Sequence, residues 1–208
     1  MIVVNPPHGS YPLFLLAGLM LWQTFVDAVQ APLRVVGESK AMLAKVNFPR
    51  EALMFAALGE VLFNVAIRVV ILLIGWIYLE GGQLPSTLWL SPLGVGAIIM
   101  FGMTVGVLIV PIGLLYNDVT QGLALVFQVW LLATPVLYPM PEGWSRSWIG
   151  WVNPVSPLIT VSRDWMLTGS SDHVSRFLVM SIATGIVVLF GMVLYRVAMP
   201  VVIERLQS

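Results

Sequence analysis

Glu60, Asn64 and Arg68 recur at steps of four inside an apolar stretch, which places them along one face of a helix. An ionisable group at mid-membrane costs roughly 2.5 to 3.5 kcal/mol on insertion scales, so this face must look toward protein or water. Glu60 and Arg68 stand about 12 Å apart along a helix axis and cannot pair with each other. Asn64 bridges only part of that gap. Two uses follow: a polar pore wall or subunit contact, or an interhelical polar clamp that orients the helix. Other chemistry is thinly supplied. The chain has no Cys, which removes thiolate catalysis, disulfides and Cys-based metal sites. Its two histidines, His8 and His173, fall outside the apolar runs, so a buried His-dependent catalytic site is not supported. No metal site and no catalytic residue is expected. No phosphate-cradling Gly-x-x-x-x-Gly-Lys-Ser/Thr run is present, so ATP, if it drives this protein, must be hydrolysed by another chain.

The elements that position these residues are membrane spans. Of 208 residues, 59% are hydrophobic and 10% charged, and the mean hydropathy is +0.94, far from the composition of a soluble domain. Ten basic and ten acidic residues cancel, so no global field favours nucleic acid. A span needs about 20 mainly apolar residues. That rule predicts an all-α, polytopic membrane protein forming one domain over 1–208, with five spans at about 11–29, 52–79, 88–115, 121–137 and 177–199. The third contains Gly102 and Gly106, a small-residue spacing that lets helices approach closely.

The loop 30–51 carries Arg34, Lys40, Lys45 and Arg50, which assigns it to the cytoplasm by the positive-inside rule. Within it Met42 and Leu43 form an apolar pair suited to docking a cytoplasmic partner. Tyr116-Asn117-Asp118-Val119 marks a tight inner turn. Alternating the spans leaves the N-terminus outside. Between the fourth and fifth spans, 139–167 is neither span nor ordinary loop. Trp144, Trp148, Trp151 and Trp165 crowd it, and Pro141, Gly143, Gly150, Pro154 and Pro157 break it. Indole rings favour the headgroup level, and broken helices survive at membrane depth only against protein or water, so an interfacial or re-entrant external hairpin is predicted. Ser156 and Pro157 read as the N-cap and first position of a short helix reaching about Leu167.

Five motifs in order then carry a resemblance: Tyr11 to Leu19 leading to Trp22; Lys45 to Glu51 with Phe48-Pro49-Arg50-Glu51; Tyr116-Asn117-Asp118; Pro135-Val136-Leu137-Tyr138-Pro139; and Asn153-Pro154. Together they resemble the permeases of type-2 ABC exporters, which move polysaccharides or polyol phosphates such as O-antigen, capsule or teichoic acid. The resemblance implies a homodimer with two ATP-binding subunits, ATP and Mg residing on those partners, in the inner membrane of a bacterium. The polymer, lipid-linked in some members, would pass between protomers. It also implies roles. Lys40, Met42, Leu43, Lys45, Phe48, Pro49, Arg50, Glu51, Asn117 and Asp118 would form the ATPase-coupling surface. Trp144, Trp148, Trp151, Asn153 and Pro154 would belong to the external gate. Trp22, Phe25, Trp130 and Tyr138 are candidates for a sugar-facing channel lining. Asn117 departs from the family's usual Tyr-Arg-Asp and removes a cation there. Family members have six spans, and the first is expected to be missing here. A drug or lipid exporter of the same class is the nearest alternative, and an ion-coupled transporter using Glu60 and Arg68 is a more distant one.

Overall fold

The computed structural model describes residues 10–40, 42, 50–81, 85–139, 153–169, 171 and 173–207. Every regular element among them is helical: α1 (Tyr11–Glu38), α2 (Arg50–Glu80), a short 3-10 turn (Leu88–Leu90), α3 (Ser91–Leu115), α4 (Asn117–Ala133), α5 (Val155–Leu167) and α6 (Val174–Gln207). Among the described residues four stretches are long and apolar enough to cross a membrane: Tyr11–Glu38, Glu51–Glu80, Leu88–Leu115 and Val174–Val202. Asp118–Ala133 is a shorter apolar helix.

The boundaries depart from the expected spans where packing overrides local signals. α1 continues past Val29 to Glu38, although 30–51 reads as a loop. Pro32 inside it removes an intrahelical bond, but Leu33 and Val36 bury in a cluster with Val110 and Leu114 of α3, and that burial outweighs the loss. α4 stops at Ala133 rather than running to Leu137, because Thr134 is extended at φ −107° and ψ 137°, as a residue before proline prefers. α5 begins at Val155 with Pro154 as its N-cap, not at a Ser156 cap. Its other end is closed by Gly169, whose φ of +80° suits a residue without Cβ. The amides of Thr168 and Gly169 both donate to the Asp164 carbonyl.

α1 is the axis of the bundle. In its apolar window 61% of the residues are buried, against 17% in α2 and in α6. α2 and α6 turn Phe55, Phe63, Val70, Ile186, Phe190 and Val197 outward, which in a bilayer is ordinary lipid-facing surface. α3 reaches α1 through glycines. A Cβ at Gly102 would lie 2.6 Å from the Ala28 Cβ and 2.9 Å from the Phe25 carbonyl oxygen, and one at Gly106 would overlap the Val29 carbonyl oxygen. The small-residue pair therefore joins two helices of the same chain, where backbone proximity replaces the hydrophobic force that lipid does not supply.

Candidate functional site

The end of α4 leaves a row of backbone carbonyls that no following helix can satisfy, because Pro135 has no N–H and Thr134 has left the helical region. Each is met by a particular donor. The Thr134 hydroxyl donates to the Trp130 carbonyl at 2.8 Å and the Thr134 amide to that of Leu131 at 3.2 Å. The Tyr138 hydroxyl donates to Leu132 at 3.1 Å, and the Asn153 amide to Ala133 at 3.3 Å. Beyond the helix, Arg163 Nη1 donates to the carbonyls of Pro135 and Val136, both at 3.1 Å, and the Tyr11 hydroxyl to Leu137 at 3.3 Å. At membrane depth a carbonyl without a partner costs several kcal/mol. The broken segment is thus held by side chains of α1 and α5 and by its own threonine and tyrosine.

Asn153 is the centre of this arrangement. Its Nδ2 also donates to the Thr134 hydroxyl at 2.8 Å. Its Oδ1 accepts from the Trp130 indole at 3.1 Å and from the Val155 amide at 3.2 Å, the latter starting α5. Asn153→Ala is expected to lower stability by about 1–3 kcal/mol, since it strands the indole N–H and the Ala133 carbonyl together. Thermal unfolding in detergent, followed by tryptophan fluorescence, measures this, and an unchanged midpoint would count against the capping role.

Three of the four aromatic residues predicted to line a channel meet within the chain. Phe25 lies 5.4 Å from Trp22 and 5.3 Å from Trp130 between ring centroids, and Trp22 lies 6.3 Å from Trp130. Phe101 and Phe127 complete the cluster around Phe25. Trp22 and Phe25 are buried, so their faces are occupied by other rings, and Trp130 is half-buried. Tyr138 stands apart as the cap of Leu132. Trp144, Trp148 and Trp151 lie outside the described residues.

The polar face of α2 meets α1. Arg68 pairs with Asp27 at 2.5 Å, Asn64 donates to the same Asp27 Oδ2 at 3.2 Å, and Glu60 pairs with Arg34. Arg68 also reaches the Thr24 hydroxyl at 3.4 Å, and the Ser10 amide donates to Glu80 at 2.6 Å. Sequence separations fall from 70 at one end to 26 at the other, as two antiparallel helices require. These contacts tie the polar face of α2 to α1 within the chain. Asp27 was legible only as the polar end of a span and Arg34 only as a loop cation. The missed signal is that they are one heptad apart, hence on one face of a longer α1.

On the opposite end, Lys40 Nζ donates to the Leu114 carbonyl at 3.0 Å, joining the end of α1 to the turn at Tyr116. Asp118 sits exposed in the first turn of α4, where a carboxylate favours the positive helix end. Met42 is exposed, and Glu51 pairs with Arg196 of α6 at 2.9 Å. The predicted coupling residues Lys40 and Asp118 therefore belong to one end of the bundle. Leu43, Lys45, Phe48 and Pro49, and the side chains of Arg50 and Asn117, lie outside the described residues. Among the described residues no three His, Asp or Glu side chains gather as a metal site.

The sequence profile described as ABC-2 type transporter matches residues 5–167. An O-antigen export system permease protein RfbA of Myxococcus xanthus is 27% identical over 166 residues, covering 76% of this chain and 62% of that protein. A protein of the same name from Klebsiella pneumoniae is 25% identical over 178 residues, covering 83% and 67% respectively. A second from Klebsiella pneumoniae is 26% identical over the same shares. The chain thus spans about two thirds of the length of these relatives.

Proposed function

This chain belongs to the ABC-2 type transporter family, and from that premise we propose that it is the membrane permease subunit of an ATP-driven exporter of a polysaccharide, lipid-linked during passage. The observation that carries the reading is the family match across 5–167 together with relatives named for O-antigen export. Two copies of the chain would enclose the path, in the inner membrane of a bacterium. Two copies of a separate ATP-binding subunit, holding ATP and Mg, would drive it. The geometry supports a division of labour between the ends of the bundle. At one end Lys40, tied to Leu114, stands beside the Tyr116 turn and the exposed Asp118, a surface suited to receive motion from a soluble partner. At the other, the capped end of α4 is a backbone discontinuity between α1 and α5. Because Glu60 and Arg68 are each engaged by an opposite charge on α1, driving force from a separate ATPase accounts for transport better than an ion relay along α2.

Transport here is a shift between conformations that bind the ATP-loaded and ATP-free partner differently. Purification of the tagged chain from its own host in mild detergent, with mass spectrometry of stoichiometric companions, tests the reading. A Walker-type ATPase in equal amount is expected, and its absence from a well-folded preparation would refute the exporter assignment. Reversing Lys45 and Arg50 together to Glu is expected to release that ATPase while the spans stay inserted. Undiminished copurification would remove residues 40–51 from the coupling surface.

A further inference from the structure

We infer that Arg163 is a positioning residue that latches the broken end of α4 against α1 and α5, and that its release frees this end during the transport cycle. The inference rests on the exporter reading above. Arg163 is 2% exposed, and a guanidinium so placed needs its donors used and its charge countered. Nη1 takes both carbonyls, Pro135 and Val136, and Cζ lies 3.8 Å over the Phe14 ring of α1, a cation–π contact strengthened by desolvation. Nε has no hydrogen-bond partner. Among the described residues no carboxylate forms an ion pair with Arg163. A buried cation held by carbonyl dipoles and a ring, with Nε idle and the adjacent Asp164 acting on it only through space, secures a conformation without locking it as a carboxylate paired with it would.

A second observation comes from the opposite wall. A Cβ on Gly18 of α1 would lie 2.7 Å from the Val136 carbonyl oxygen and 3.3 Å from Arg163 Nη1. The contact fits only because residue 18 has no side chain. Pro135 bars continuation of α4, and the Pro135 and Val136 carbonyls have Arg163 as their donor. Arg163 of α5 thus touches both this segment and the Phe14 ring. Withdrawing it leaves the Pro135 and Val136 carbonyls and the Phe14 ring without this shared contact at once.

Because the chain has no Cys, Val136→Cys, at a position that is 0% exposed, serves as a single reporter for maleimide labelling in nanodiscs. Labelling of the resting chain is expected to be slow. Arg163→Met and, independently, the wedge Gly18→Ala are each expected to raise its rate roughly tenfold, the scale set by loss of a charged hydrogen bond. Arg163→Lys, which keeps the cation, is expected to return the rate most of the way. With Arg163 intact and the ATP-binding chain bound, labelling is expected to accelerate during ATP turnover. Equal rates for the Arg163 and Arg163→Met chains would overturn the latch, as would an unchanged rate during demonstrated turnover, which marks a permanent structural clamp. The resting comparison needs no nucleotide or second chain, so it decides the latch even where failure to copurify an ATPase refutes the exporter reading.

Discussion

Asp27→Ala is expected to destabilise the protein by about 3–5 kcal/mol, because it removes one partner of a buried ion pair and leaves Arg68 uncompensated. The Asp27 and Arg68 side chains are 15% and 18% exposed, and what surrounds the outer faces of these helices is lipid rather than water. Asp27 Oδ2 also accepts from Asn64, so the substitution strands an amide as well as a cation. Adding Arg68→Met to Asp27→Ala should recover most of the loss, since apolar replacement of both members of a buried pair is often neutral. The contrast lies one heptad along α1. Arg34 and Glu60 are 42% and 37% exposed, and Glu60→Gln is expected to cost only about 0–1 kcal/mol. Thermal unfolding of the three variants and the parent chain in one detergent measures the series. An Asp27→Ala chain as stable as the Glu60→Gln chain would contradict the clamp.

Gly106→Val is expected to be the most damaging single substitution in the bundle, yielding little or no monodisperse protein. The added Cβ meets the Val29 carbonyl oxygen and lies 3.1 Å from the Pro32 ring, both parts of the α1 backbone or locked to it. A flexible side chain can swing aside, but a helix backbone moves only as a whole. Overpacking of a yielding core costs about 1–3 kcal/mol, and this site does not yield. Separation of α1 from α3 would also disperse Phe25 and Phe101, which stack at 5.8 Å. Gly96→Ala is the control, because nothing lies within 4 Å of a Cβ built there. It should change stability by no more than about 0.5 kcal/mol. Fluorescence-detected size exclusion separates the outcomes, and a Gly106→Val chain eluting as a single sharp peak would show that the helices contact less closely than described.

Membrane class, the rough position of the spans and the break before Tyr138 were legible in the residues alone. Each rests on a local cause: the length of an apolar run, the missing N–H of a proline, the preference of the residue before it. The stripe Glu60, Asn64, Arg68 was legible as a face for the same reason, since a helix period needs only neighbours in sequence. Span ends were less legible. α1 outlasts Pro32 because burial against α3 decides there, across a long stretch of chain, and α5 starts ahead of Ser156 because the Asn153 side chain, itself fixed by Trp130 and Thr134, accepts from the Val155 amide. Tertiary structure alone decided what each face meets. Asp27 finds Arg68 across 41 residues and Arg163 finds Val136 across 27, and three of the four aromatic residues proposed for a channel turned toward one another. Periodicity specifies the direction in which a side chain leaves its helix, whereas its partner depends on the register and crossing of two helices, which glycines such as Gly102 and Gly106 set through backbone contact.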